Sequence, residues 1–96
     1  MNILVTYDVQ TETLEGQRRL RKVARICTYY GQRVQNSVFE CVFSEVQLLE
    51  LKNKLHKIID TTNDSIRLYY LNNSESRKTI VLGQQRGYNV ENILLV

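Results

Sequence analysis

The sequence predicts a small α+β domain in which two helices pack on one antiparallel sheet. Segments rich in strand-forming residues alternate with two segments whose apolar residues recur every three to four positions, which is typical of helices packed on a sheet. The chain has 96 residues, of which 43% are hydrophobic, and this size and composition suit one globular domain with a modest core.

The first strand is predicted over residues 2–9, because its run of Ile, Leu, Val and Tyr has high strand propensity. Asp8 lies at the end of this strand and is the only acidic residue among the first ten positions. A polar segment follows, and the first helix is predicted over residues 16–30. Its apolar stripe is Leu20, Val23, Ala24 and Cys27. Gly31 is expected to end this helix with a positive φ.

Residues 33–43 predict a second strand with apolar residues on both of its faces. A sheet covered by helices on one side and by another subunit on the other would explain that pattern. The second helix is predicted to begin at Ser44, where Gln47 completes a capping box, and to end near Asp60.

Two further strands are predicted over residues 65–71 and 78–82, and a last segment, 88–96, ends in the apolar run Ile-Leu-Leu-Val. Together the elements predict a ferredoxin-like βαββαβ sandwich over residues 1–82, with an extra C-terminal strand within residues 83–96. Because free tails are normally polar, we expect this extension to pair with a sheet edge and the protein to be a symmetric homodimer.

The net charge is +3, and its excess is concentrated in residues 16–35, which contain no acid. The basic residues of this stretch are Arg18, Arg19, Arg21, Lys22, Arg25 and Arg33. They fit either a polyanion-binding surface or an ordinary solvated helix face, and charge patterning alone does not decide between the two. Tyr29 and Tyr30 are interpreted as packing residues, so contact with a duplex backbone is expected rather than base stacking.

The sequence has no apolar run long enough for a membrane span, and its two cysteines form no CxxC pair. We therefore expect a cytoplasmic protein with no membrane partner. There is no Cys/His cluster, nucleophile triad or glycine-rich phosphate loop, so any chemistry is expected to use a metal and a carboxylate. Two Asp8 side chains brought together by a two-fold axis could share one Mg²⁺, although Asp8 taken alone fits a turn cap better.

Four segments form a recognisable combination: Tyr7-Asp8-Val9, the basic run 18–22, Tyr30-Gly31 and the segment 33–40, which reads RVQNSVFE. Together they resemble the family of small CRISPR-associated proteins that work with the CRISPR integrase in spacer acquisition. The resemblance implies a ferredoxin-like homodimer that acts as a Mg²⁺-dependent endonuclease on double-stranded DNA or single-stranded RNA. It implies that Asp8 is the catalytic metal ligand, shared between two subunits, and that Ser37 and Phe39 lie near the dimer centre.

The resemblance also implies that the six basic residues of the 16–35 stretch contact nucleic acid, and that the extension over 83–96 contacts the partner subunit or the integrase. Two alternatives stay open. The protein could be a non-catalytic DNA-binding scaffold of the integrase complex in which Asp8 is structural, or a stand-alone toxin-type RNA nuclease of the same fold.

Overall fold

The computed structural model describes residues 1–71 and 79–84, which form one five-stranded sheet and two helices. The elements are β1 (Asn2–Asp8), α1 (Leu14–Tyr30), β2 (Gly31–Gln35), β3 (Val38–Val42), α2 (Glu45–Ile58), β4 (Ser65–Tyr70) and β5 (Thr79–Gly83). The predicted strand within residues 88–96 lies outside the described residues.

The sheet has the order β2-β3-β1-β4-β5, and all neighbouring strands are antiparallel. The βαββαβ unit is complete at β4, and β5 adds a strand to the β4 edge. The ferredoxin-like prediction is therefore confirmed. β1 is central, with β3 and β4 on its two sides.

One hydrophobic core fills the space between the sheet and both helices. The strands contribute alternate residues, such as Ile3 and Val5 from β1 and Leu68 from β4, each of which is fully buried. The helices contribute residues at helical spacing, including Val23 from α1 and Leu51 from α2. The other positions of the strands point away from the helices. We call this second side the open face, because no helix among the described residues packs on it. Its residues include Leu4, Thr6, Asp8, Val38, Glu40 and Val42.

The single strand predicted over residues 33–43 is wrong, because the segment is a hairpin of β2 and β3. Asn36 and Ser37 form the turn, and both are residue types that favour turns. The bulge between Arg33 and Gln35 shifts the register of β2. The apolar alternation hid the turn, since two turn residues leave the parity of the flanking strands unchanged.

The predicted positive φ at Gly31 is also wrong. Gly31 is extended, with φ −157°, and starts β2 directly after α1. Position 31 has no room for a side chain, because a Cβ atom there would collide with Cys41 Sγ and the Glu40 carbonyl oxygen. At the start of α2, by contrast, the predicted capping box is confirmed: Ser44 Oγ accepts from the Gln47 N–H, and the Gln47 side chain accepts from the Ser44 N–H.

Candidate nucleic-acid interface and metal-binding carboxylate

Asp8 is held at the end of the central strand of the sheet. Ile3, Val5 and Tyr7 anchor β1 in the core, and the strand alternation therefore places Asp8 on the open face. Asp8 is half-buried and pairs in register with Ser65, the first residue of β4. The Ser65 hydroxyl is buried and has no hydrogen-bond partner among the residues that the structure describes. An acid and an unused hydroxyl thus lie side by side at this end of the sheet.

Ser37 lies on the other side of the same strand end. Its carbonyl oxygen accepts a hydrogen bond of 3.1 Å from the Tyr7 N–H, and the Tyr7 hydroxyl donates to the Asn36 carbonyl oxygen at 3.2 Å. The two bonds fasten the β2–β3 turn to the end of β1. The turn is therefore fixed next to Asp8, as expected if Ser37 lies near a functional centre.

Phe39 is the other residue predicted to lie near the dimer centre, and its side chain lies in the core of its own chain. It is fully buried within the chain and stacks on Tyr7, with the ring centroids 6.0 Å apart. Arg33 covers the outer side of this aromatic pair, and its Cζ lies 5.1 Å from the centroid of the Phe39 ring. Burial raises the pKa of Tyr7, and the neighbouring Arg33 partly offsets that effect. Phe39 therefore supports the strand end from within the core.

Four of the six predicted nucleic-acid-binding residues form one exposed row along α1. They are Arg18, Arg21, Lys22 and Arg25, and we call them the basic stripe. Gly16, Val23 and Cys27 are the buried residues on the opposite side of the helix. The helix begins at Leu14, two residues earlier than predicted, because the Thr13 hydroxyl caps it by accepting from the Gly16 N–H at 3.0 Å. Arg33 is also exposed, but it lies apart from the stripe on β2.

Arg19 has a different environment, and the prediction that it binds nucleic acid needs correction. Its Nε atom donates to Asp64 Oδ2 at 2.7 Å, and Nη2 donates to Oδ1 at 3.4 Å. The Arg19 side chain is 18% exposed and that of Asp64 is fully buried. The hydrogen bond to Asp64 raises the pKa of Arg19. This guanidinium is therefore engaged inside the protein and is not presented to a ligand.

Asp64 joins three parts of the chain, and nothing in the sequence singled it out. Its Oδ1 also accepts from the Gln10 N–H at 3.1 Å, and its Oδ2 accepts from the Asp60 N–H at 2.9 Å. The carboxylate thus connects the segment after Asp8, the first turns of α1 and the loop after α2. The sequence signal was only a polar turn at residues 61–64, which did not distinguish a buried acid from an exposed one.

The two cysteines are buried, free thiols in the core. Burial raises the pKa of Cys27 to about 12 and that of Cys41 to about 11. Both are therefore neutral at physiological pH, and neither is suited to act as a nucleophile or a metal ligand.

The basic stripe and Asp8 lie on opposite sides of the chain. The stripe faces outward from α1, whereas Asp8 lies on the side of the sheet away from the helices. The thickness of a helix, about 10 Å, and the sheet itself separate them. Within residues 1–71 and 79–84 no three His, Cys, Asp or Glu side chains come together as a metal site. Nor does this part of the chain include a helix of the length and apolarity that a membrane span needs.

Comparisons of this chain with a family model and with known proteins point to the same protein family. A family model described as CRISPR associated protein Cas2 matches residues 1–79. A relative from Halalkalibacterium halodurans, named CRISPR-associated endonuclease Cas2, is 47% identical over 95 residues, which cover 99% of this chain and 99% of the relative. A relative from Moorella thermoacetica, named CRISPR-associated endoribonuclease Cas2 1, is 56% identical over 71 residues and covers 74% of each chain.

Among solved structures, the crystal structure of Streptococcus pyogenes Cas2 at pH 6.5 is similar to this chain with a TM-score of 0.71 and 56% identity. The similarity covers 75% of this chain and 87% of that one. The names of the two sequence relatives differ in the substrate they imply, since one specifies RNA and the other does not.

Proposed function

The chain belongs to the CRISPR-associated Cas2 family, and on that premise we propose that it is a metal-dependent endonuclease of CRISPR adaptation. It hydrolyses phosphodiester bonds in double-stranded DNA or single-stranded RNA. It acts as a cytoplasmic homodimer together with the CRISPR integrase, and its C-terminal extension, residues 83–96, contacts the partner subunit or the integrase.

The position of Asp8 carries this proposal. A carboxylate that ends a central strand on the open face, beside an unused Ser65 hydroxyl, offers oxygen atoms from a rigid element. Mg²⁺ prefers oxygen ligands, keeps several of its waters and needs only one or two carboxylates from the protein. The donor set therefore fits Mg²⁺ when two chains each contribute one Asp8, and among the described residues it is too small for a site within one chain.

The open face supports the required dimer. Leu4 and Val38 are only half-buried there, and Val42 is 71% exposed, so a second sheet packed on this side would remove apolar surface from water. A two-fold axis through this face would bring the two Asp8 side chains toward each other.

In the proposed site, Asp8 holds the cation. When bound, Mg²⁺ supplies a Lewis acid that polarises the scissile phosphate and lowers the pKa of a bound water. Ser37 belongs to the turn that its carbonyl oxygen fastens to β1, next to Asp8.

Substitution of the carboxylate tests the proposal. We expect Asp8→Asn to reduce Mg²⁺-dependent cleavage of labelled duplex DNA and single-stranded RNA by at least about 100-fold, because the amide keeps the size but not the charge. Glu45→Gln is the matched control, since Glu45 is an exposed acid on α2, outside the open face, and should leave cleavage unchanged. Cleavage by Asp8→Asn at the wild-type rate would refute the metal site.

A second candidate function, a DNA-binding scaffold of the integrase complex, is favoured by the separation of the basic stripe from Asp8. Nucleic acid lying along the stripe is on the far side of the chain from Asp8 of the same subunit. In this function the phosphate contacts suffice, and Asp8 has a structural role. Spacer acquisition in cells that carry only Asp8→Asn distinguishes the two functions: it is lost if cleavage is required and preserved if the protein serves as a scaffold.

A further inference from the structure

An exposed aromatic ring stands at the C-terminal end of α1. Tyr29 is 81% exposed, whereas its neighbour Tyr30 is half-buried and packs on Phe43 with the ring centroids 5.7 Å apart. The sequence had predicted packing for both tyrosines, and the structure corrects this for Tyr29. An aromatic side chain that buries so little of its surface gains little from the core, so it is available to a ligand.

Tyr29 borders an open depression of about 160 Å³ between α1 and α2, which we call the tyrosine depression. Its lining residues are Arg25, Ile26, Tyr29, Tyr30 and Lys54. The volume of the depression is well below the roughly 300–1,000 Å³ of pockets that hold drug-sized ligands. The depression therefore suits a single small ring system.

The charges around the tyrosine depression favour an anionic ligand. Lys54 Nζ lies 5.6 Å from the centroid of the Tyr29 ring and donates to the Tyr30 hydroxyl at 2.9 Å. That hydroxyl in turn donates to Glu50 Oε2 at 3.3 Å. The bond from Lys54 to Tyr30 raises the pKa of Lys54, which therefore stays charged. With Arg25 on the other side, the lining carries two cations, and Glu50 is the acid that reaches it through Tyr30.

The tyrosine depression also continues the basic stripe. The spacing from Arg18 through Lys22 and Arg25 to Tyr29 is four, three and four residues, so all four lie on one face of the helix. A nucleic-acid backbone that follows the stripe toward the C-terminal end of α1 reaches Tyr29 next.

We propose that the tyrosine depression binds one unpaired nucleotide, with its base stacked on Tyr29 and its phosphate held by Arg25 or Lys54. The site rests on the proposed function to the extent that nucleic acid lies along the basic stripe. It adds a preference for a junction, in which duplex contacts the stripe and the first unpaired base contacts the tyrosine. Aromatic rings stack on any base, so the site does not select sequence.

The test compares a blunt duplex with the same duplex that carries a short thymidine tail. We expect the wild-type protein to bind the tailed duplex about 5- to 150-fold more tightly, as one stacked base allows. Tyr29→Ala should remove this preference and leave blunt-duplex affinity unchanged, while Tyr29→Phe should keep it. A 2-aminopurine at the first unpaired position should be quenched by wild-type protein and not by Tyr29→Ala.

Lys57→Gln is the matched control, because Lys57 is an exposed cation on α2 that does not line the tyrosine depression, and it should keep the preference for the tailed duplex. Equal affinity for blunt and tailed duplex would overturn the site while leaving the proposed function intact. Failure to bind the blunt duplex at all would instead count against the proposed function. If duplexes with a normal tail and with an abasic tail bind with equal affinity, base stacking on Tyr29 is ruled out. If an acidic peptide quenches the tyrosine fluorescence and a thymidine tail does not, the tyrosine depression binds a protein segment instead.

Discussion

Neighbouring arginines of α1 differ in role because successive residues of a helix point about 100° apart. Arg18 points to solvent and belongs to the basic stripe, whereas Arg19 turns toward the loop after α2 and binds the buried Asp64. Composition counts these two residues as equal contributors to a basic patch. The structure makes one of them a candidate ligand contact and the other a structural support.

We expect Arg19→Gln to lower the free energy of unfolding by about 3 kcal/mol, because the buried Asp64 carboxylate would lose its cation and keep only backbone donors. Arg18→Gln, one residue away and exposed, should change it by no more than about 0.5 kcal/mol. Urea denaturation of the two variants beside the wild type provides the measurement. Equal free energies of unfolding for Arg18→Gln and Arg19→Gln would show that the contact between Arg19 and Asp64 adds no net stability.

At the residue scale, local sequence pattern was enough to place Asp8 at a strand end and the basic stripe on an exposed helix face. Asp64 was missed because its partners are distant in sequence: Arg19 is 45 residues away and the Gln10 N–H is 54 residues away. Asp64 becomes a buried acid with several hydrogen-bond donors only when the fold brings these donors together. A local sequence pattern does not contain that information.

At the scale of elements, α1 has a buried apolar side and an outward basic side, and the outward side is expected to contact phosphates. We expect the triple variant Arg18→Gln, Lys22→Gln, Arg25→Gln to weaken duplex DNA binding. It should also flatten the plot of log affinity against log salt by about 0.9 for each phosphate that the variant no longer neutralises. Titrations at several salt concentrations measure the slope.

Lys57→Gln is the control for this variant, since Lys57 is exposed on α2 and lies outside the basic stripe. It should leave the slope unchanged. If the triple variant gives the same slope as the wild type, the stripe is an ordinary solvated helix face, which is the alternative that charge patterning left open.

The elements themselves were predictable where periodicity or capping chemistry was clear. The apolar stripes of α1 and α2 and the Ser44 capping box are confirmed by the core and by hydrogen bonds. The hairpin at Asn36 and Ser37 was missed because a two-residue turn preserves strand alternation. Gly31 was misread because its lack of a side chain serves a close approach to β3 and not a left-handed turn.

At the scale of the whole molecule, the fold separates two activities into two layers. The helix layer presents the basic stripe and the tyrosine depression, and the open face of the sheet presents Asp8. One subunit can therefore hold nucleic acid on its helix side while its open face packs on a second subunit. This arrangement is compatible with both proposed roles of the 96-residue chain, as a support for DNA and as half of a metal site.

The proposed shared metal site predicts that catalysis depends on dimerisation. We expect Val42→Lys to dissociate the homodimer, because Val42 is 71% exposed on the open face, at the end of β1 away from Asp8, and a lysine there would place an unpaired charge in the proposed interface. Light scattering should give the mass of a monomer. Mg²⁺-dependent cleavage should be lost although Asp8 is unchanged, since each monomer would hold only half of the ligand set.

Val46→Lys is the matched control, because Val46 is 67% exposed on α2 and lies outside the open face. It should remain dimeric and active. A Val42→Lys protein that stays dimeric would place the subunit interface elsewhere, and a monomeric Val42→Lys protein that still cleaves would show that one Asp8 suffices. A metal site shared by two subunits requires that cleavage be lost whenever the dimer is lost. Measuring the mass by light scattering and the Mg²⁺-dependent cleavage rate on one sample therefore tests the symmetric metal site directly.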